Sequence, residues 1–111
     1  MLQEFITNLF NYKEKIGLLI GEHSIKLLCI YIYGAGDAFA ICGYRDVLIA
    51  FSKQWWNFVD TYYGLEAGTG IQGWYNIILE HCDNEEQAFD TFYKLLYLYL
   101  NQYYPQIIIP A

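Results

Sequence analysis

The sequence predicts an all-α protein, a single-domain irregular bundle of about five helices, and three observations support this. The chain has 111 residues, which is enough for one hydrophobic core but too few for two. Hydrophobic residues make up 56% of it and aromatic residues 20%, which excludes a disordered or low-complexity chain. Apolar residues recur at the three- and four-residue spacing of helix faces, and no internal repeat or linker interrupts them. We therefore expect residues 1–111 to fold as one helical domain.

The first predicted helix is amphipathic and covers residues 2 to about 15, because its apolar side chains share one face. That face comprises Leu2, Phe5, Ile6, Leu9 and Phe10. Residues 17–21 begin and end with glycine and enclose a short apolar segment, residues 18–20. This segment fits either a break between helices or a very short strand.

A second helix is predicted from Ile25 to about Ile41, with Ser24 as its N-terminal cap. Isoleucine and tyrosine alternate at residues 30–33, a pattern that favours a strand. The full length of the apolar run nevertheless favours a buried helix. We expect Gly43 to end this helix and Asp46 to cap the next one.

The third predicted helix extends to Tyr63, and Gly64 is its stop signal. Trp55 lies on the apolar stripe of this helix, whereas Trp56 points about 100° away from it. We assign Trp56 to a second core contact in preference to an exposed anchor, since neighbouring helices can cover both faces. A glycine-rich loop, residues 64–70, follows the helix.

Residues 73–100 form a predicted helical hairpin that organises the domain, in which two apolar-striped runs are joined by an acidic turn. Trp74 is expected to plug the core between the two helices. Asp83 is predicted to cap the second helix, with Glu86 completing a capping box. The tail, residues 106–111, is expected to be extended and either docked on the core or paired as a short edge strand. The apolar face of the second run contains Phe89, Phe92, Tyr93, Leu96, Tyr99 and Leu100.

The net charge of −6 is distributed unevenly. Residues 60–90 hold seven acids and no Lys or Arg, a local charge of −7, while the remaining residues carry +1. This distribution argues against direct nucleic-acid binding, which needs a basic surface. A basic protein partner would suit it, although a solvated acidic face that aids solubility is the more common origin of such a pattern. The twelve tyrosines and three tryptophans exceed the needs of a small core, so some are expected at the surface as binding anchors.

Three sequence patterns contain residues typical of chemical sites, and none supports an enzyme, a cofactor or a metal. Residues 68–73 match the dinucleotide fingerprint G-x-G-x-x-G, but no strand precedes them, so a flexible loop is expected. Residues 80–83 collect four metal-ligand types that project about 100° apart on a helix and cannot converge. Cys82 adjoins His81 in sequence, but adjacent helical residues do not face each other as a nucleophile and its base would.

Cysteine usage and hydropathy indicate a cytoplasmic protein. The three cysteines, Cys29, Cys42 and Cys82, lack C-x-x-C spacing and are typical of reduced thiols. No signal peptide is expected, because no basic region precedes an apolar stretch at the start. The uncharged runs are short or interrupted by polar residues, so no membrane span is expected.

Two stretches of the chain resemble small bacterial immunity proteins that accompany polymorphic toxins. The first, residues 16–25, reads Ile-Gly-x-x-x-Gly-x-x-Ser-Ile and leads into an apolar helix. The second joins Gly73-Trp74 and Ile77-Ile78 to the patterns Asp83-x-x-Glu86-x-Ala88-Phe89 and Phe92-Tyr93-x-Leu95-Leu96. Between them, Phe51, Trp55 and the Tyr62-Tyr63-Gly64 stop are similar in kind. The related toxins include contact-dependent-inhibition and Maf-type nuclease effectors.

The resemblance implies that the chain is an antitoxin that binds a cognate nuclease toxin, for example an RNase, without catalysing a reaction. Such a toxin is expected to be basic where it holds phosphate, so an acidic, aromatic-flanked face can compete with the nucleic acid. Two alternatives remain: an acidic adaptor or regulatory module for another basic protein, and a small helical domain that binds a ligand in an aromatic pocket. The expected partner-binding residues are Glu66, Asp83, Glu85, Glu86 and Asp90, with Asp60 and Glu80 as secondary candidates.

Overall fold

The computed structural model of the protein describes residues 2–11, 13, 15, 23–66 and 73–110, and these residues are mostly helical with no strand among them. The all-α prediction is confirmed. The helices are α1 (Leu2–Asn11), α2 (Ile25–Phe39), α3 (Arg45–Tyr62), α4 (Trp74–Glu80) and α5 (Glu85–Tyr103), and a π-helical segment, Ala40–Tyr44, joins α2 to α3. The predicted break or strand at residues 18–20 lies outside the described residues, as does most of the G-x-G-x-x-G pattern.

The junction between α2 and α3 is a kink at Gly43, the residue predicted to end the second helix. Its φ of +94° is a left-handed, non-helical conformation that favours glycine, so the helical backbone is interrupted there as predicted. Because α3 follows the kink without a connecting loop, Ile25–Tyr62 forms one kinked run, and the described residues contain four helical runs where about five helices were predicted. A straight helix of 38 residues would be about 57 Å long. The longest dimension of the protein is 35 Å, so the kink must be sharp.

Length and composition alone would let one helical run in the described part of the chain, Ile25–Tyr62, cross a membrane. The kink divides it into helices of 15 and 18 residues. A straight transmembrane helix needs about 20 apolar residues, so this is only weak evidence for a membrane span.

Helix α5 is the centre of the core, as predicted from its apolar stripe, and eight of its side chains are buried. Tyr99 is fully buried, and the single proton of its hydroxyl is shared between two acceptors, the Phe51 carbonyl at 2.9 Å and Gln54 Oε1 at 3.2 Å. The hydroxyl of Tyr93 donates to the Leu9 carbonyl of α1 at 2.8 Å. These two phenols fasten α5 to α3 and α1 without leaving a buried hydroxyl unpaired.

The tryptophans of α3 and α4 pack against α5 largely as predicted. Trp55 and Trp74 are buried and meet edge to face with ring centroids 5.7 Å apart. Both also contact the ring of Phe92 from α5. Trp56, assigned to a second core contact, is half-buried against the edge of the core.

Two of the predicted helix ends are confirmed by their hydrogen bonds. Ser24 has extended backbone and its hydroxyl accepts from the Leu27 N–H, so it caps α2. At the end of α3, the Gly64 N–H bonds to the Thr61 carbonyl and the Leu65 N–H to the Asp60 carbonyl. With Gly64 at φ +77°, these bonds form a Schellman motif.

Two other predicted caps are wrong. Asp46 lies in the first turn of α3, and Tyr44 holds the N-cap position without a side-chain bond. Helix α5 begins one residue later than predicted: the cap is Asn84, whose side chain accepts from the Gln87 N–H at 2.8 Å. The Gln87 side chain in turn accepts from the Asp83 N–H at 2.6 Å. This neutral pair replaces the predicted Asp83–Glu86 capping box.

The C-terminal tail is docked on α1, one of the two arrangements predicted for it. Gln3 donates from Nε2 to the Ile108 carbonyl and accepts the Ile108 N–H at Oε1, both at 2.7 Å. The side-chain amide therefore satisfies the backbone of the tail as a neighbouring strand would. Ile107 and Ile109 are half-buried against the core.

Candidate functional site

Five of the seven predicted partner-binding residues are exposed carboxylates at the end of the molecule where α3 stops and α4 turns into α5. Glu66 follows the Schellman motif of α3, Glu80 ends α4, and Asp83 lies in the turn before α5. We call these three, together with Glu86 and Asp90 of α5, the acidic surface.

The neutral cap of α5 leaves two carboxylates of this surface unused. Asn84 Oδ1 accepts the Gln87 N–H and Gln87 Oε1 accepts the Asp83 N–H, so neither bond engages the exposed carboxylates of Asp83 and Glu86. Glu86 and Asp90 lie four residues apart on one side of α5. No hydrogen bond or ion pair within the described residues engages the side chains of Asp83, Glu86 or Asp90.

The two remaining candidates, Asp60 and Glu85, are not exposed. Asp60 is 0% exposed, in the last turn of α3 beneath the Schellman motif, so it cannot touch a partner in this conformation. Glu85 is half-buried and accepts a hydrogen bond of 2.6 Å from the hydroxyl of Ser24. It ties the start of α5 to the cap of α2, and the structure gives it a structural role.

Aromatic rings hold the parts of the acidic surface together. The ring of Tyr63, at the end of α3, stacks on the imidazole of His81, after α4, with centroids 4.1 Å apart. This contact brings the segment that carries Glu66 beside the turn that carries Glu80 and Asp83. Tyr62 is 52% exposed and meets Tyr63 edge to face at 5.0 Å, so an aromatic side chain flanks the carboxylates.

Tyr63 and His81 were not among the predicted site residues. Burial, with smaller contributions from Cys82 and Tyr62, raises the pKa of Tyr63 to about 12, so this phenol stays protonated at neutral pH. The signal that could have identified this pair is the Tyr-Tyr dipeptide directly before the helix stop. It places an aromatic ring at the end of α3, where another helix end must pack.

The metal and nucleophile candidates at the end of α4 contact different partners. The His81 Nδ1 atom lies 2.8 Å from the Ile77 carbonyl, and the Cys82 thiol donates to Thr91 Oγ1 at 3.5 Å. Within the described ranges, no group of three or more His, Cys, Asp and Glu side chains is placed to hold a metal ion. Burial raises the pKa of the Cys29 thiol, which keeps it protonated at neutral pH.

Comparison of the chain with protein-family models, with curated proteins and with solved structures finds no match.

Proposed function

We propose that this chain is an immunity protein that binds and neutralises a basic nuclease toxin through the acidic surface. The observation that carries the proposal is the group of five exposed carboxylates in a stretch, residues 60–90, that has no Lys or Arg. The resemblance of residues 16–25 and 73–96 to immunity proteins supports the choice of a toxin as the partner.

The charges of the acidic surface favour a cationic partner energetically. Like charges four residues apart on a helix destabilise it by about 0.2–0.5 kcal/mol, and Glu86 and Asp90 are such a pair. Arg or Lys side chains of a partner would relieve this repulsion when they bind. A long-range attraction between opposite charges would also speed the encounter.

The mode of inhibition follows from the chemistry of nuclease sites. A nuclease holds the phosphates of its substrate with basic groups, and these are the groups an acidic surface can engage. The exposed ring of Tyr62 and the Tyr63–His81 stack provide apolar contact next to the charges, as aromatic residues do at binding hot spots. The protein acts in the cytoplasm by occupying the toxin, with no chemical step and no cofactor.

The proposal is tested by co-purification with the protein encoded immediately upstream, followed by a nuclease assay on that protein with and without this chain. A stable complex with suppressed cleavage is the expected result. If no complex forms, or if cleavage continues within the complex, the immunity function is refuted. A tight complex with a basic partner that has no nuclease activity would instead establish the adaptor alternative.

The role of the acidic surface is tested separately by the double variant Glu86→Lys/Asp90→Lys. We expect its affinity for the toxin to fall at least about tenfold and to depend less on salt concentration. The matched control is Glu4→Lys/Asp46→Lys, which makes the same change in net charge at exposed positions of α1 and α3. Equal loss of affinity in both variants would mean that only net charge matters, and no loss in either would place the interface elsewhere.

A further inference from the structure

An open apolar pocket of about 900 Å³ lies at the kink between α2 and α3, separate from the acidic surface. Its deep wall is formed by core side chains of α3, α4 and α5, among them Phe51, Trp55, Trp74 and Phe92. Pockets that bind small molecules usually measure roughly 300–1,000 Å³ and have mainly apolar walls. The volume of this one is near the upper end of that range.

The rim of the pocket exposes apolar side chains to water. Ile41, in the π-helical segment, is 87% exposed, and Ile49 of α3 is 46% exposed. Large exposed apolar areas are uncommon on monomeric proteins and indicate a surface that binds something apolar. An apolar chain lying in the pocket would cover both side chains.

The charged residues of the pocket favour an anion. Arg45 and Lys53 of α3 line it, together with a single acid, Asp37 of α2. Neither cation forms an ion pair with another described residue. They lie eight residues apart on α3, about 12 Å along the helix, so each can reach a head group at a different end of the pocket.

A neutral tyrosine of α2 also lines the pocket. Burial, followed by the neighbouring Cys29, raises the pKa of Tyr33 to about 12. Its hydroxyl therefore stays protonated at neutral pH, where it is hydrogen-bonded to the Cys29 and Trp74 side chains and adds no negative charge to the pocket.

We infer that this pocket binds a long-chain monocarboxylate, with the alkyl chain against the tryptophan-lined wall and the carboxylate at Arg45 or Lys53. The apolar depth of the pocket accommodates the chain, and the two cations, which outnumber the single acid Asp37, select an anionic head group. The site lies outside the acidic surface, so the inference does not depend on the proposed immunity function.

The first experiment is a titration of the full chain with octanoate, decanoate and dodecanoate below their micelle-forming concentrations. All three tryptophans of the chain line the pocket, so their fluorescence reports occupancy directly, and calorimetry supplies the affinity. Each buried methylene is expected to tighten binding about threefold to fourfold, until the pocket is full. The absence of binding for all three acids would overturn the inference.

The choice of head group is tested with dodecyltrimethylammonium and with the variants Arg45→Glu and Lys53→Glu. At least one variant should bind dodecanoate about tenfold or more weakly, because it loses a charge-assisted contact. Lys26→Glu, an exposed site on α2 outside the pocket, is the matched control and should bind like the parent. If the parent and all variants bind dodecyltrimethylammonium and dodecanoate with equal affinity, the pocket binds apolar chains without selecting a head group, and the inference is refuted.

The position of the ligand is tested with Ser52→Phe, which places a ring in the pocket from an exposed residue of α3. Thermal unfolding first establishes that this variant is folded. It should then lose binding of all three acids, whereas binding at full affinity would place the ligand elsewhere. Light scattering without ligand shows whether two copies of the chain associate. A dimer that does not bind dodecanoate and does not dissociate when dodecanoate is added would show that a second copy covers the pocket, and would overturn the inference.

Discussion

The hydrogen bond between Ser24 and Glu85 should contribute measurably to folding stability, because it joins the first turns of two helices. The Ser24 hydroxyl donates to the Glu85 carboxylate at 2.6 Å and accepts from the Leu27 N–H at 3.4 Å. The 3.4 Å contact is long, so the cap itself contributes only about 0.5–1 kcal/mol. A hydrogen bond to a charged group contributes about 1.5–3 kcal/mol, and the half-exposure of Glu85 reduces this toward the lower limit. We therefore expect Ser24→Ala to lower the free energy of unfolding by about 2 kcal/mol.

A double-mutant cycle isolates the Ser24–Glu85 bond. The variants are Ser24→Ala, Glu85→Ala and their combination, each measured by urea unfolding monitored by circular dichroism. The coupling energy should be about 1–1.5 kcal/mol, and Glu86→Ala, an exposed neighbour without this bond, should change stability by less than about 0.5 kcal/mol. If the effects of the two single substitutions add within about 0.5 kcal/mol, the bond contributes nothing and Glu85 is available to a partner after all.

Three further outcomes are expected. The burial of Tyr99 raises its pKa well above the usual value of about 10, so above pH 10 the unfolded chain loses this proton first and stability falls by about 1.4 kcal/mol per pH unit for this group. The free energy of unfolding, measured with urea between pH 9 and 11, should fall with pH less steeply in Tyr99→Phe, by about that amount per pH unit above pH 10. Tyr97→Phe, which removes an exposed hydroxyl from the same helix, is the control. Asn84→Ala should cost about 1 kcal/mol and Asp83→Ala much less; the reverse order would mean that α5 is capped one residue earlier. Gly43→Ala should cost about 1–2 kcal/mol through strain at φ +94°, since no atom lies within 4 Å of the added carbon; a neutral effect would show that the kink relaxes without this glycine.

The helices could be predicted where local signals agreed with one another. The apolar stripe of α5 matched its buried face, and Gly64 marked a Schellman motif because a left-handed residue ends a helix at little cost only if it is glycine. Ser24 capped α2 for an equally local reason, a hydroxyl placed three residues before an unpaired N–H. The two helix ends are determined within about one turn of chain, and the stripe depends only on the periodicity of α5 itself.

The predictions are wrong where two local sequence patterns fit the same helix cap equally well, or where contacts between distant residues determine burial. Asp83 with Glu86 and Asn84 with Gln87 both have the spacing of a capping box, and the structure uses the neutral pair. The charge of Asp60 predicts a place on the partner-binding face, but its burial depends on how the end of α3 packs, which no local pattern reveals. The same limit applies to the Tyr63–His81 stack, which joins the ends of two helices.

The pocket could not be predicted, because a glycine marks the position of a helix break but not the angle at which the next helix leaves it. Gly43 interrupts the helical backbone, and α3 begins two residues later at Arg45, so the two helices meet in a kink without a connecting loop. The side chains of Ile41 and Ile49 remain uncovered on either side of this kink. The kink also places Arg45, the first residue of α3, on the rim. One glycine in a left-handed conformation thus determines the shape of the pocket, the exposure of its rim and the position of one of its two cations.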